Sequence, residues 1–151
     1  MSLAELLSAM PYAEHLGIEV TVAEDGYAEG HLSLADEHSS VPGRRVGHGG
    51  VAYSLADTVA GAAVISLHYA ATPTVDMRMD YLAPVTDDLH AEAEVVRDGG
   101  SVSVADVTLT DAAGTRVAEA RGVFKTGGGD DDSPWGDGPG ELDTAFADEG
   151  E

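Results

Sequence analysis

The stretch from Gly49 to about Ala70 constrains this chain more than any other. Val51, Leu55, Val59, Ala62, Ala63, Ile65 and Leu67 distribute apolar groups around most of a helical circumference. A helix without a broad polar face has to be covered by the rest of the protein. Ser54, Asp57, Thr58, Gly61 and His68 interrupt it along one small or polar stripe, so it reads as a buried helix and not as a membrane span. The fold must therefore be a wrapper for this helix.

The flanking sequence supplies one. Ser2 and Glu5 form a capping box ahead of Leu3, Leu6 and Leu7, predicting a short helix to about Met10, where Pro11 stops it. Ile18, Val20 and Val22 alternate with polar residues, Asp25-Gly26 turns the chain, and Ala28, Gly30, Leu32 and Leu34 continue as a second strand. An irregular polar stretch, 36–47, precedes the helix, and Pro73 marks its exit. Four strands follow: 75–81, 89–95, 102–109 with a bulge expected near Ala105, and 115–125. Asp98-Gly99-Gly100 and Ala113-Gly114 are their turns. One antiparallel sheet of about six strands around one long helix is an α+β fold.

Residues 1–126 are expected to form a single domain. Residues 127–151 carry nine acidic residues and no basic one, show no hydrophobic period, and are expected to be a disordered tail. There is no cysteine, hence no disulfide and no thiolate metal site. The N-terminus lacks the basic region of a signal peptide, and a cytoplasmic location is expected. Net charge is −21, with six Arg and a single Lys, Lys125. That balance resembles proteins of salt-in halophiles, because molar salt shrinks the Debye length to roughly 3 Å and screens self-repulsion. With no basic patch to displace counterions, nucleic acid is a poor partner; no membrane partner is expected either.

Chemistry concentrates on the long helix. The first amides of a helix lack internal partners and lie at the positive end of its dipole. Gly49 and Gly50, without side chains, let a substrate carbonyl approach those amides, as an oxyanion hole requires. The bland reading is two glycines easing a tight loop into a helix. Asp57 lies two turns further on, among Leu55, Ala56 and Val59. A carboxylate there must be satisfied, and with water access it can act as a general base; the bland reading is an Asp bonded to Thr58 or Thr74. Eight residues of helix amount to about 12 Å of rise, so one carbonyl cannot sit near both groups. If both serve one carbonyl, they come from different subunits, and the chemistry implies a dimer with two composite sites.

The run from Val46 to Asp57, VGHGGVAYSLAD, resembles the signature of hotdog-fold acyl-CoA thioesterases, specifically the phenylacetic acid degradation branch. Residues 74–84, TVDMRMDYLAP, are similar to that family's strand after the helix, and the likeness spans about 12–126. It implies a hotdog fold and hydrolysis of an acyl- or aryl-CoA ester, with no cofactor beyond the coenzyme A of the substrate. It further implies the Gly49 N–H as oxyanion donor, Asp57 of the other subunit as base or nucleophile, and Thr74 as its orienting partner. His48, ordering the loop at the helix entrance, Gly50, Ser54, Arg97, Gly100 and Ser101 would contact substrate. A homodimer, possibly pairing into a tetramer, is implied as well. One departure stands out: Pro42 occupies the position six before His48 where the family often has Asn, which leaves the oxyanion hole leaner or filled by Ser39, Ser40 or Arg44.

The remaining histidines show no metal-ligand spacing, so no metal is expected. Two other readings compete: a non-catalytic acyl-CoA-binding module of the same fold, and a hotdog hydratase or dehydratase, whose Gly-Asp-x-Asn-Pro-x-His motif is missing here. CoA phosphates approaching so acidic a protein need screening salt and local arginines, with Arg44, Arg45, Arg97 and Arg121 the candidates. Thioester hydrolysis is accordingly expected to rise with KCl or NaCl into the molar range, measured as free thiol released; an optimum at low salt contradicts the halophilic reading.

Overall fold

The computed structural model describes residues 1–127; the expected tail, apart from Gly127, lies outside them. The long helix, α3 (Gly49–His68), is covered by one six-stranded antiparallel sheet. The chain runs α1 (Leu3–Ser8), α2 (Pro11–Leu16), β1 (Ile18–Glu24), β2 (Tyr27–Leu32), a 3-10 turn at Asp36–His38, α3, β3 (Thr74–Tyr81), β4 (Leu89–Asp98), β5 (Val102–Asp111) and β6 (Arg116–Lys125). Spatial order is β1-β2-β4-β5-β6-β3. After β2 the chain crosses through α3 to the far edge, so β3 is an edge strand whose sole partner among the described strands is β6.

Ser2 and Glu5 do form the capping box of α1. Pro11, expected only to stop a helix, also begins one: it stands at the first turn of α2, where its missing N–H costs nothing. This helix ends at Gly17, left-handed at φ 80°. Asp25 and Gly26 both have positive φ, as a two-residue hairpin turn demands.

The bulges fall elsewhere than expected. In β5, Ser103, Ala105, Val107 and Leu109 alternate inward without a slip, and Val102 and Val104 face outward. The extra residue is Val96 on the neighbouring β4, since Val95 pairs with Ala105 while Arg97 pairs with Val104. A second bulge, at Thr21, shifts β1 so that Ala23 joins the core in place of Val22.

Ten of the twenty α3 residues are buried, Leu55, Val59 and Val64 completely. The helix lies so close to β2 that a Cβ on Gly30 would fall 2.4 Å from Val59 Cγ2. Gly30 is thus a packing residue, and Gly30→Ala should destabilise the fold by about 1–3 kcal/mol through overpacking. Thermal unfolding should show the loss, and Val59→Ala in the same chain should restore part of it.

The far end of α3 is tied to the β4–β5 hairpin. His68 Nε2 lies 2.7 Å from Asp98 Oδ1, and buried Ser103 donates its hydroxyl to the same oxygen at 2.5 Å. The Ser103 hydrogen bond, and then His68, hold the Asp98 carboxyl below its usual range. A carboxyl depressed in the folded state stabilises above its unfolded value of about 3.9 and loses that contribution as pH falls through the lower folded value. The difference in melting temperature between wild type and Ser103→Ala should therefore be widest near neutrality and narrow below about pH 4; a gap independent of pH would contradict this account.

Candidate active site

The entrance of α3 is fixed from three directions. His38, buried, accepts from Ala35 N–H at Nδ1 (2.9 Å) and places Nε2 2.7 Å from the Leu16 carbonyl. Its own carbonyl accepts the His48 N–H at 2.8 Å. Gly47 N–H donates to Val85 O at 2.7 Å, joining the entrance to the β3–β4 connection. His48 is the helix cap, accepting the Gly50 N–H at Nδ1 over 2.8 Å. That bond requires the neutral ring with its proton on Nε2.

These bonds sort the amides. The His48 N–H goes to His38 and the Gly50 N–H to the His48 ring. Among the described residues no hydrogen bond engages the Gly49 N–H. Of the two glycines singled out in the sequence, Gly49 has the free donor, and Gly50 can offer its amide only by giving up the cap. Gly49 borders a cavity of about 390 Å³ lined by Val46, Gly47, Ala52, Tyr81, Leu82 and Val85, among others.

Asp57 sits half-buried on the outer stripe of α3, where Thr74 donates to its Oδ1 at 2.7 Å. Thr74 begins β3, and two more bonds join the same helix flank to that strand: Tyr53 donates to the Met77 carbonyl at 3.2 Å, and Tyr81 to the Gly49 carbonyl at 2.8 Å. Gly49, Tyr53 and Asp57 recur at every fourth residue, one stripe of the helix. Tyr53 has its pKa raised, first by burial and then by the negative charges of Asp57 and Asp76. Asp57 itself does not line the cavity at Gly49.

Ser54 gives its hydroxyl proton to the Gly50 carbonyl (2.8 Å) and lies 2.8 Å from the Tyr12 hydroxyl. Tyr12 comes from α2, the helix the sequence reading missed. One other expectation is corrected. Ser39 and Ser40 cannot stand in for the family's Asn: Ser39 Oγ accepts from Val41 and Val46 N–H and donates to the Arg44 carbonyl, and Ser40 is bonded to Val46. They hold the 36–47 loop together instead. Arg97, Gly100 and Ser101 stand beside the His68 end of α3, roughly 30 Å of helix from Gly49, so one chain does not bring them to its own helix entrance. Arg45 is paired with Asp36 (2.6 Å) and Arg121 with both oxygens of Asp106 (2.7 and 3.0 Å). Strand pairing also assembles what linear spacing could not show: Glu29, His90 and Glu92 bring three possible ligand atoms within 4.8 Å on the sheet's outer face. Exposed acidic groups commonly lie so without a cation.

A wrapped helix with a free glycine amide at its entrance and a threonine-held carboxylate along its flank defines a class. The chain has the hotdog fold and belongs to the thioesterase superfamily, whose family profile matches residues 46–118; its class is that of a thioester hydrolase. A protein of Halobacterium salinarum that carries an inferred esterase name is 36% identical over 121 residues, 73% of this chain and 80% of that protein. The PaaI protein from the Escherichia coli phenylacetic acid degradation operon superposes with a TM-score of 0.74 at 26% identity, covering 85% of this chain and 98% of that one. A Streptococcus pneumoniae thioesterase-type protein solved with coenzyme A gives 0.66 at 28% identity, covering 73% and 86%.

Proposed function

We propose that this protein hydrolyses acyl- or aryl-CoA thioesters to free acid and CoA as a homodimer. In each site the Gly49 N–H of one subunit polarises the carbonyl, and Asp57 of the other delivers water or attacks directly. The reading rests above all on the placement of these two groups: a free amide at the helix entrance, and a carboxylate held by Thr74 about 12 Å along the same rigid helix. One carbonyl cannot lie within hydrogen-bond reach of both in a single chain. The outer stripe of α3 and the edge strand β3 are both uncovered, with Val75 62% and Tyr81 53% exposed, as an approaching two-fold copy requires. Antiparallel helices would carry Asp57 towards the partner's Gly49, and the Arg97–Ser101 hairpin towards the partner's helix entrance. The coenzyme A bound by the pneumococcal relative favours a CoA ester as substrate.

Release of free thiol from a panel of acyl- and aryl-CoA esters in molar KCl tests the activity. Asp57→Asn should lower kcat by 10²–10⁴-fold, the usual contribution of a general base. Gly49→Pro tests the other half, read against Gly49→Ala because both introduce a Cβ 3.3 Å from the Tyr81 ring. His48, at φ −59° and ψ 139°, is compatible with a following proline at this first helical position, and only the proline removes the N–H. Asp57→Asn and Gly49→Pro should each be nearly inactive alone. Co-expressed, they should recover about a quarter of wild-type activity, because half the dimers are mixed and each mixed dimer holds one intact composite site. No recovery would sink the shared site. A folded wild type that releases thiol from no CoA ester would favour the binding module, which the occupied Ser39 and Ser40 and the proline at position 42 would then explain.

A further inference from the structure

The peptide group between Gly49 and Gly50 is gripped at both ends. Its carbonyl accepts the Tyr81 hydroxyl at 2.8 Å, and its N–H donates to His48 Nδ1 at 2.8 Å. The two grips come from different parts of the chain, the last residue of β3 and the cap of α3. Glycine has the most backbone freedom to lose, and a helix's first residue is prone to fray. The Gly49 N–H belongs to the preceding peptide plane, whose His48 carbonyl accepts the Val51 N–H at 2.9 Å. With the His48 N–H bonded to the His38 carbonyl behind it and the plane after Gly49 gripped at both ends, that plane is held at its own carbonyl and on both flanks. The ring of Tyr81 reinforces this: its Cε1, Cζ and hydroxyl all lie 3.3 Å from where a Cβ on Gly49 would be. The same ring walls the cavity beside that amide.

We infer that Tyr81 is a positioning residue: its hydroxyl and ring hold the Gly49 backbone so that the free amide faces the cavity ready-aimed. The inference rests on the thioesterase reading proposed above and deepens it. A donor aimed in advance spends no reorganisation at the moment charge develops on the carbonyl oxygen, so its loss falls on the transition state more than on substrate binding. In this scheme the Tyr81 hydroxyl acts on the reaction through Gly49 and not by contact with the reacting atoms.

Tyr81→Phe removes the hydroxyl and keeps the ring. Thiol release should show kcat falling about 5–10-fold, the worth of one well-made hydrogen bond, with KM within about twofold of wild type. In a ¹⁵N-labelled sample the Gly49 amide resonance should shift or broaden. A kcat within twofold of wild type overturns the inference, as does a loss confined to KM, which would make Tyr81 a binding wall only. Gly49→Ala provides a second arm: the new Cβ meets the Tyr81 ring, so its cost in kcat should shrink in a Tyr81→Ala background, and equal costs in the two backgrounds would overturn the inference. If wild type hydrolyses no CoA ester, the thioesterase reading fails by itself. The positioning claim is then decided by the spectrum, where an unmoved Gly49 resonance refutes it.

Discussion

Burial of α3 beneath the sheet is the constraint from which the rest follows. Half of its residues are shut away from water, and the backbone of β2 passes so near that Gly30 can carry no side chain. Once that face is committed, the opposite stripe has to stay small and polar. Ser54, Asp57, Thr58 and Gly61 are among the residues left accessible, beside Tyr53 and Leu67, and the acidic group among them is held by a strand that the helix itself delivers to the sheet's far edge. Chemistry and packing thus occupy two sides of one element.

The hydrogen bonds at the helix entrance show how a loop without regular structure can aim an amide. His38 draws the loop onto Leu16, Ser39 and Ser40 close it on itself, and Gly47 fastens it to Val85. His48 then consumes one amide with its ring and another with its own backbone bond. The single donor left over belongs to a residue with no side chain to obstruct it. Selection by elimination is economical: the loop builds no dedicated donor and merely occupies the competing ones.

Periodicity made α3, the hairpin at Asp25-Gly26 and the α+β class legible before any coordinates, because each is a local pattern repeated along the chain. The long-range parts were less visible. A bulge belongs to a pair of strands, so the sequence of β5 could not reveal that the extra residue, Val96, stands on β4. Pro11 looks like a stop in the sequence because a proline's effect on the preceding residue is easier to see than its fitness to begin a helix. Asp57, Gly49 and Thr74 were conspicuous as chemistry-bearing residues in an apolar or glycine-rich setting. Tyr12, Tyr53 and Tyr81 were not, since nothing in a lone tyrosine says which carbonyl or hydroxyl it will reach. Tyr81 stands within the 74–84 motif, but its hydroxyl reaches the Gly49 carbonyl only because β3 crosses past the helix entrance.

Three side chains lace β3 to the flank of α3, at Gly49, Tyr53 and Asp57. The strand that ends the sheet is therefore also the strand that holds the two groups proposed to react. Any neighbour that extends the sheet along that border would press on both ends of the chemistry at once. Under the composite site proposed above, docking and turnover share that border, and a chain diluted away from a second copy would lose support for Gly49 and Asp57 together with half of the proposed site.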